Sequence, residues 1–151
     1  MRTFLAYSLL VFLSPAIAGW GAALAGFPVA LILSWTSMGL RTKVAGYIGG
    51  VCGVIASAWA TQLLFHSLTG PASFTLLPFL AWLSILTCLI ARFAALNWRI
   101  AKARRELLDT IAERGPDTLR LMSEETKTAH FSTLVGQLFG VAIVSIWFFC
   151  R

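Results

Sequence analysis

Three stretches of this chain carry no Asp, Glu, Lys or Arg: residues 3–40, 44–91 and 131–150. A water-soluble fold cannot give runs of that length a polar face. A membrane span needs about 20 apolar residues to cross about 30 Å of hydrocarbon. Composition agrees. The chain of 151 residues is 58% hydrophobic and 12% charged, with mean hydropathy +0.82, whereas a soluble domain carries about 25% charged residues. The expected class is an all-α integral membrane protein. It is a single domain with a bundle of four or five transmembrane or re-entrant helices and a cytoplasmic helical hairpin.

The run 131–150 makes one span. The run 44–91 makes two, because "HSLTGPASF" interrupts it and Gly70-Pro71 is a turn signal among small polar residues. Spans are expected at 44–68 and 74–98. The run 3–40 fits neither count. As one helix it would reach about 57 Å, too long for one straight span, and as two it leaves about 17 residues each, the lower limit. The decision falls on "SPAIAGWG" at 14–21. It reads as the turn of a helical hairpin at Gly19-Trp20-Gly21, as a proline kink in one helix, or as the end of a signal peptide cleaved after Ala18. "FLAYSLLVFL" and "AIA" support the last. The hairpin is the first expectation and places Arg2 in the cytoplasm.

Basic residues mark the cytoplasmic side of spans. Residues 99–130 hold Arg99, Lys102, Arg104, Arg105, Arg114, Arg120 and Lys127, so this segment is expected in the cytoplasm, with a bacterial inner membrane as the location. "RTK" at 41–43 then lies inside and the Gly70-Pro71 turn outside. The net charge of +6 follows from this bias. No nucleic-acid partner is expected, since the basic residues flank spans and no aromatic-interleaved basic platform accompanies them.

Apolar helices in lipid associate through small residues that let backbones approach. Three such faces are written in the sequence: Gly19, Ala23, Gly26 and Ala30; Gly46, Gly50, Gly53 and Ser57; and Ser132, Gly136 and Gly140. Three packing faces in so small a chain suggest that one is left over for a second copy or other membrane subunits.

"RIAKARRELLDTIAERGPD" continues the third span as an amphipathic helix ending at Gly115-Pro116. Lys102–Glu106 and Arg105–Asp109 are i, i+4 opposite-charge pairs. Asp117 or Ser123 is the expected cap of the next helix. The stripe Ile100, Leu107, Leu108 and Ile111 is expected to pack on Leu119, Leu121 and Met122. The cations Arg92, Arg99, Lys102, Arg104 and Arg105 are expected to contact lipid headgroups or a partner.

No catalytic, cofactor or metal site is expected. The cysteines Cys52, Cys88 and Cys150 form no C-x-x-C, and no acidic residue in a span pairs with Arg92. Gln62, Asn97 and Gln137 read as interhelical hydrogen-bonding groups, and His66 as an interfacial one. The function expected is a non-enzymatic membrane subunit of a multi-protein envelope assembly for secretion, conjugation or transport. The alternatives are a small homo-oligomeric pore, with Gln62, Gln137 and Ser132 lining a lumen, and a regulatory or immunity-type membrane protein.

Overall fold

The computed structural model describes residues 1–70, 74–112 and 118–150. Four helices follow one another: α1 (Arg2–Ile32), α2 (Met38–Thr69), α3 (Leu76–Ala112) and α4 (Thr118–Phe149). Three helices are long and apolar enough to cross a membrane: α1, α2 from Gly39, and α4 from Lys127. The apolar part of α3, Leu76–Arg92, is shorter.

The first run is one helix. α1 passes without a break through Gly19-Trp20-Gly21 and contains both Pro15 and Pro28, which corrects the hairpin expected there. Among the described residues the only positive φ belongs to Gly70, so the glycines at 19 and 21 make no turn. The two prolines deprive the carbonyls of Val11 and Leu24 of their helical N–H partners. Helices in an apolar surround tolerate this where neighbouring groups or local adjustments satisfy the freed groups.

Short connections cap the ends. After α1 the indole Nε1 of Trp35 donates to the Ile32 carbonyl at 2.7 Å, and Thr36 Oγ1 donates to the Leu33 carbonyl at 2.8 Å. Those bonds satisfy carbonyls that the helix end leaves open. α2 ends at Gly70, whose N–H returns to the His66 carbonyl at 3.1 Å. Its φ of 93° and ψ of −173° fall in a region open essentially to glycine alone. The remainder of the Gly70-Pro71 turn lies outside the described residues.

The two arms of the expected hairpin are continuous with the spans beside them, as expected, and belong to α3 and α4. α3 runs unbroken to Ala112, and α4 begins at Thr118. Ser123 therefore sits inside α4 and does not cap it. Asp117 and the Gly115-Pro116 stop lie outside the described residues.

α2 is the central helix, with α1 on one side and α4 on the other. α3 touches α1 and α4. On α1 the buried residues recur every fourth position: Ala6, Leu10, Ser14, Ala18 and Ala22. This row meets a row of small residues on α2. A Cβ added at Gly53 would lie 2.7 Å from the Ala22 backbone nitrogen, and one at Gly49 would lie 3.2 Å from Gly26 Cα. A second row on α2 meets α4. A Cβ at Gly50 would lie 2.7 Å from the Gln137 nitrogen, and one at Gly136 would lie 2.9 Å from Tyr47 Cα. Rows of period four on both partners are the small-x-x-x-small packing of apolar helices.

At the end of the bundle that holds Gly70, aromatic rings join all four helices. Tyr7 meets Phe65 edge-on at 5.3 Å, and Phe74 meets both Phe65 and Phe148 at 6.1 Å. Phe79 of α3 stacks on Phe148 of α4 at 3.9 Å, with the planes 1° apart. Each well-placed ring pair contributes roughly 0.5–1.5 kcal/mol beyond its buried area.

Two glycine substitutions separate seam from surface. Gly50→Leu drives a side chain into the α4 backbone and should destabilise the protein by about 1–3 kcal/mol or more, the range for overpacking. At Gly19 a Cβ would meet nothing within 4 Å, so Gly19→Ala should be neutral or stabilise by up to about 1 kcal/mol through helix propensity. Thermal unfolding in mild detergent, followed by circular dichroism, reads both.

Candidate functional site

The small-residue sets assigned to single faces distribute differently in space. Gly46 and Gly50 face Ser132, Thr133 and Gly136 of α4, while Gly53 faces Ala18 and Ala22 of α1. Ser57 also turns to α1, where its Oγ donates to the Ser14 carbonyl at 2.8 Å. The four positions are therefore two contacts, not one face. Gly49 completes the α1 contact and was not in the expected set. Ser132, Gly136 and Gly140 do share one face, and all three pack on α2. On α1 the expected set is split, for Gly26 does meet Ala45 and Gly49 of α2. Gly19 and Ala23 are exposed, and Ala18 and Ala22 are buried. The seams close within the chain, which removes the argument that one of them is left over for a partner.

Ser57 is a polar junction between three helices. Trp82 of α3 donates its indole Nε1 to Ser57 Oγ at 3.2 Å, while that hydroxyl donates onward to α1. Thr61 Oγ1 donates to the Ser57 carbonyl at 2.7 Å. All three side chains are buried. Ser14 Oγ lies beside this junction and has no hydrogen-bond partner.

Beyond Trp82, toward the 33–37 end, α3 separates from the α1–α2–α4 unit. A cavity of about 960 Å³ lies between them. Its deep part is apolar: Leu86, Leu89, Ile90 and Ala94 of α3 face Pro15 and Ala18 of α1 and Leu134 of α4. Its mouth is basic. Lys43 from α2, Arg104 from α3, and Lys127 with His130 from α4 line that end, with Trp98 beside them. Among the described residues no acidic side chain lines the cavity.

The expected headgroup cations divide accordingly. Arg104 lines the cavity mouth. Arg92, Arg99 and Lys102 are exposed elsewhere on α3. The side chain of Arg105 lies outside the described residues, as does that of Asn97. Lys43, Lys127 and His130 were not among the expected contacts. Lys43 stands far from Lys127 and His130 in sequence, and the packing of α2 against α4 brings them together.

Of the polar groups offered as a pore lining, Ser132 and Gln137 both line the large cavity, whereas Gln62 does not. Ser132 Oγ is turned into the α2 seam, bonding the Ala129 carbonyl at 3.0 Å and the Thr42 carbonyl at 3.4 Å. Gln137 lines the large cavity. Gln62 belongs to a separate pocket of about 250 Å³ near the aromatic end, with Trp59, Phe79 and Phe148. Cys52, Cys88 and Cys150 are free and exposed. Among the described residues no group of three metal-ligating side chains converges.

The stripe on the α3 extension is open. Ile100, Leu107 and Ile111 are 55%, 63% and 44% exposed. This corrects the expectation that these three positions bury themselves on the second arm. The side chains of Leu108, Leu119, Leu121 and Met122 lie outside the described residues.

Comparison with protein-family models, with curated proteins and with solved structures finds no match.

Removing the junction should be measurable. Ser57→Ala takes away the acceptor of Trp82 and the hydroxyl bonded to Ser14. The loss should be about 1–3 kcal/mol, because a buried indole N–H is left without a partner. Chemical unfolding in detergent checks the energy. A shift in tryptophan emission that is absent in the Ser57→Ala/Trp82→Phe double variant assigns it to this bond.

Proposed function

We propose that the chain is a four-span integral membrane protein that serves, without catalysis of its own, as a subunit of a larger envelope assembly. The membrane part of this reading rests on the three long apolar helices and on their outward faces. Phe4, Phe12, Leu24, Phe27, Ile143 and Ile146 are all exposed large hydrophobics. Such a surface is suited to lipid and not to water. α3 supplies the fourth crossing through its apolar part.

Charge sets the orientation. If α1 crosses once, Arg41, Lys43 and the seven basic residues of 99–130 fall on one side, and Arg2 and Arg151 on the other. The positive-inside bias makes the first side cytoplasmic. Both ends of the given sequence and the Gly70 turn then lie outside, which reverses the side assigned to Arg2 by the hairpin reading.

The single observation that supports the subunit role is the exposed pair Leu107 and Ile111, beyond the cavity on α3. In this topology it stands on the part of α3 that has left the membrane, so lipid does not cover it along its whole length. An amphipathic helix ordinarily buries its apolar face. A cytoplasmic helix of a partner protein is the occupant this reading assigns to it. The pore reading is less favoured, since Gln62 lies in a separate pocket from Ser132 and Gln137 and the Ser132 hydroxyl is bonded to a backbone carbonyl.

Two measurements test these statements. Cys150 should react with a membrane-impermeant maleimide on intact cells, and a cysteine placed by Lys102→Cys only after permeabilisation, with Cys52 and Cys88 replaced by alanine. Equal reaction of both sites on intact cells would overturn the topology. Gentle purification should recover unrelated chains with the wild type. The Leu107→Asp/Ile111→Asp variant should lose at least about tenfold of that recovery, since each Asp takes an apolar contact worth more than 1 kcal/mol out of an interface. Recovery of the wild type only as a homo-oligomer would sink the assembly reading.

A further inference from the structure

We infer that the cavity between α3 and the α1–α2–α4 unit is a binding site for one anionic glycerophospholipid. Its phosphate is held by Lys43, Arg104 and Lys127, and its acyl chains lie along the apolar floor. The inference requires the membrane placement proposed above but no partner protein. It therefore stands or falls separately from the assembly reading.

The polarity of the lining is ordered along the helix axis. The apolar residues Leu86, Leu89, Ile90 and Ala94 come first, and Trp98 and Arg104 follow. From Leu86 to Arg104 the helix rises about 27 Å. Half of a bilayer is about 15 Å of hydrocarbon plus about 5–8 Å of headgroup layer. The cleft is thus about 4–7 Å longer than one leaflet with its headgroups, and its basic end reaches the headgroup level within the span of Lys and Arg side chains. Its volume of about 960 Å³ is at the upper end of small-molecule sites.

The other end is shut. Trp82 is bonded to Ser57, and Phe79 is stacked on Phe148, so α3 is fastened to its neighbours beyond Leu86. A transmembrane helix from a partner would need a groove through both leaflets. A lipid needs only one. The cleft also has an open edge for lateral entry, since a side chain at Gly19, one of its lining residues, would meet nothing within 4 Å.

The charge selects the headgroup. Lys43, Arg104 and Lys127 reach the mouth from three different helices, and none of them is held in an ion pair among the described residues. His130 adds a further nitrogen donor. Among the described residues no carboxylate lines the cavity to repel a phosphate or to offset the cations. A zwitterionic lipid would bring its own cation to this mouth and gain less. A free phosphate would gain nothing from the apolar floor, which is most of the lining.

The test uses the full chain in nanodiscs of phosphatidylcholine doped with phosphatidylglycerol. Native mass spectrometry after transfer to detergent counts the lipids retained. The wild type should retain one phosphatidylglycerol in preference to phosphatidylcholine. Lys43→Gln/Arg104→Gln/Lys127→Gln should lower that preference about tenfold or more, given the contribution of each basic residue near an anionic headgroup. Arg92→Gln/Arg99→Gln/Lys102→Gln removes the same charge from outside the cavity and should leave it unchanged. Ala94→Trp fills the floor while keeping every cation and should also abolish retention. It decides the matter where the triple variant fails to fold. Excess glycerol phosphate should not displace the lipid. Equal retention of the two lipids by the wild type, or an equal loss in the outer-surface variant, would overturn the inference. So would lipid held unchanged in Ala94→Trp, and displacement by glycerol phosphate would show a phosphate site in place of a lipid site.

Discussion

Backbone-to-backbone contact along α2 is what the remaining helices are arranged around. In an apolar solvent, burial of apolar side chains gives little reason for helices to associate, so close approach and dispersion must supply it. α2 meets that requirement twice. Gly49 and Gly53 admit the backbone of α1, and Gly46 and Gly50 admit that of α4. With both sides of α2 occupied by direct neighbours, α3 is left to bridge them. It does so fully only where bulky rings fill the wider gap.

That division of labour accounts for the two ends of the molecule. Near Gly70 the bridge is aromatic, with Phe79 in contact with Phe74, Trp82 and Phe148. One polar tie fixes its register, the indole of Trp82 on the hydroxyl of Ser57. Toward 33–37 the corresponding residues of α3 are Leu86, Leu89, Ile90 and Ala94, which do not span the same distance. The cavity is the space that follows. Its basic mouth arises because Lys43, Arg104, Lys127 and His130 come together at one end of the bundle.

Much of this was legible in the sequence, and the unread parts have identifiable causes. The uncharged runs predict the helices, and Gly70 marks the end of α2, because solvation and backbone sterics act locally. The reading of Gly19-Trp20-Gly21 as a turn failed for a general reason. Glycine permits a turn without demanding one, and proline in an apolar helix need not end it. The set Gly46, Gly50, Gly53 and Ser57 was assigned to one face because spacings of four, three and four do fit one stripe. A helix with two neighbours reads the same residues as two rows, and nothing local states how many neighbours a helix has. The convergence of Lys43, Arg104 and Lys127 is a property of packing, and their separation in sequence hid it.

The glycine rows of α2 also bear on the order in which the molecule can be completed. Glycine contributes little to a helix by itself and leaves bare backbone on the surface. One row of α2 is covered by α1, which is synthesised before it. The other is covered by α4, which is synthesised last. Until α4 is in place, Gly46 and Gly50 face outward, and α2 is supported along one side only. The final helix therefore acts as the closing piece of a contact opened some 80 residues earlier. A nascent chain interrupted before α4 would display an open small-residue groove, the kind of surface on which membrane helices find partners, wanted or not.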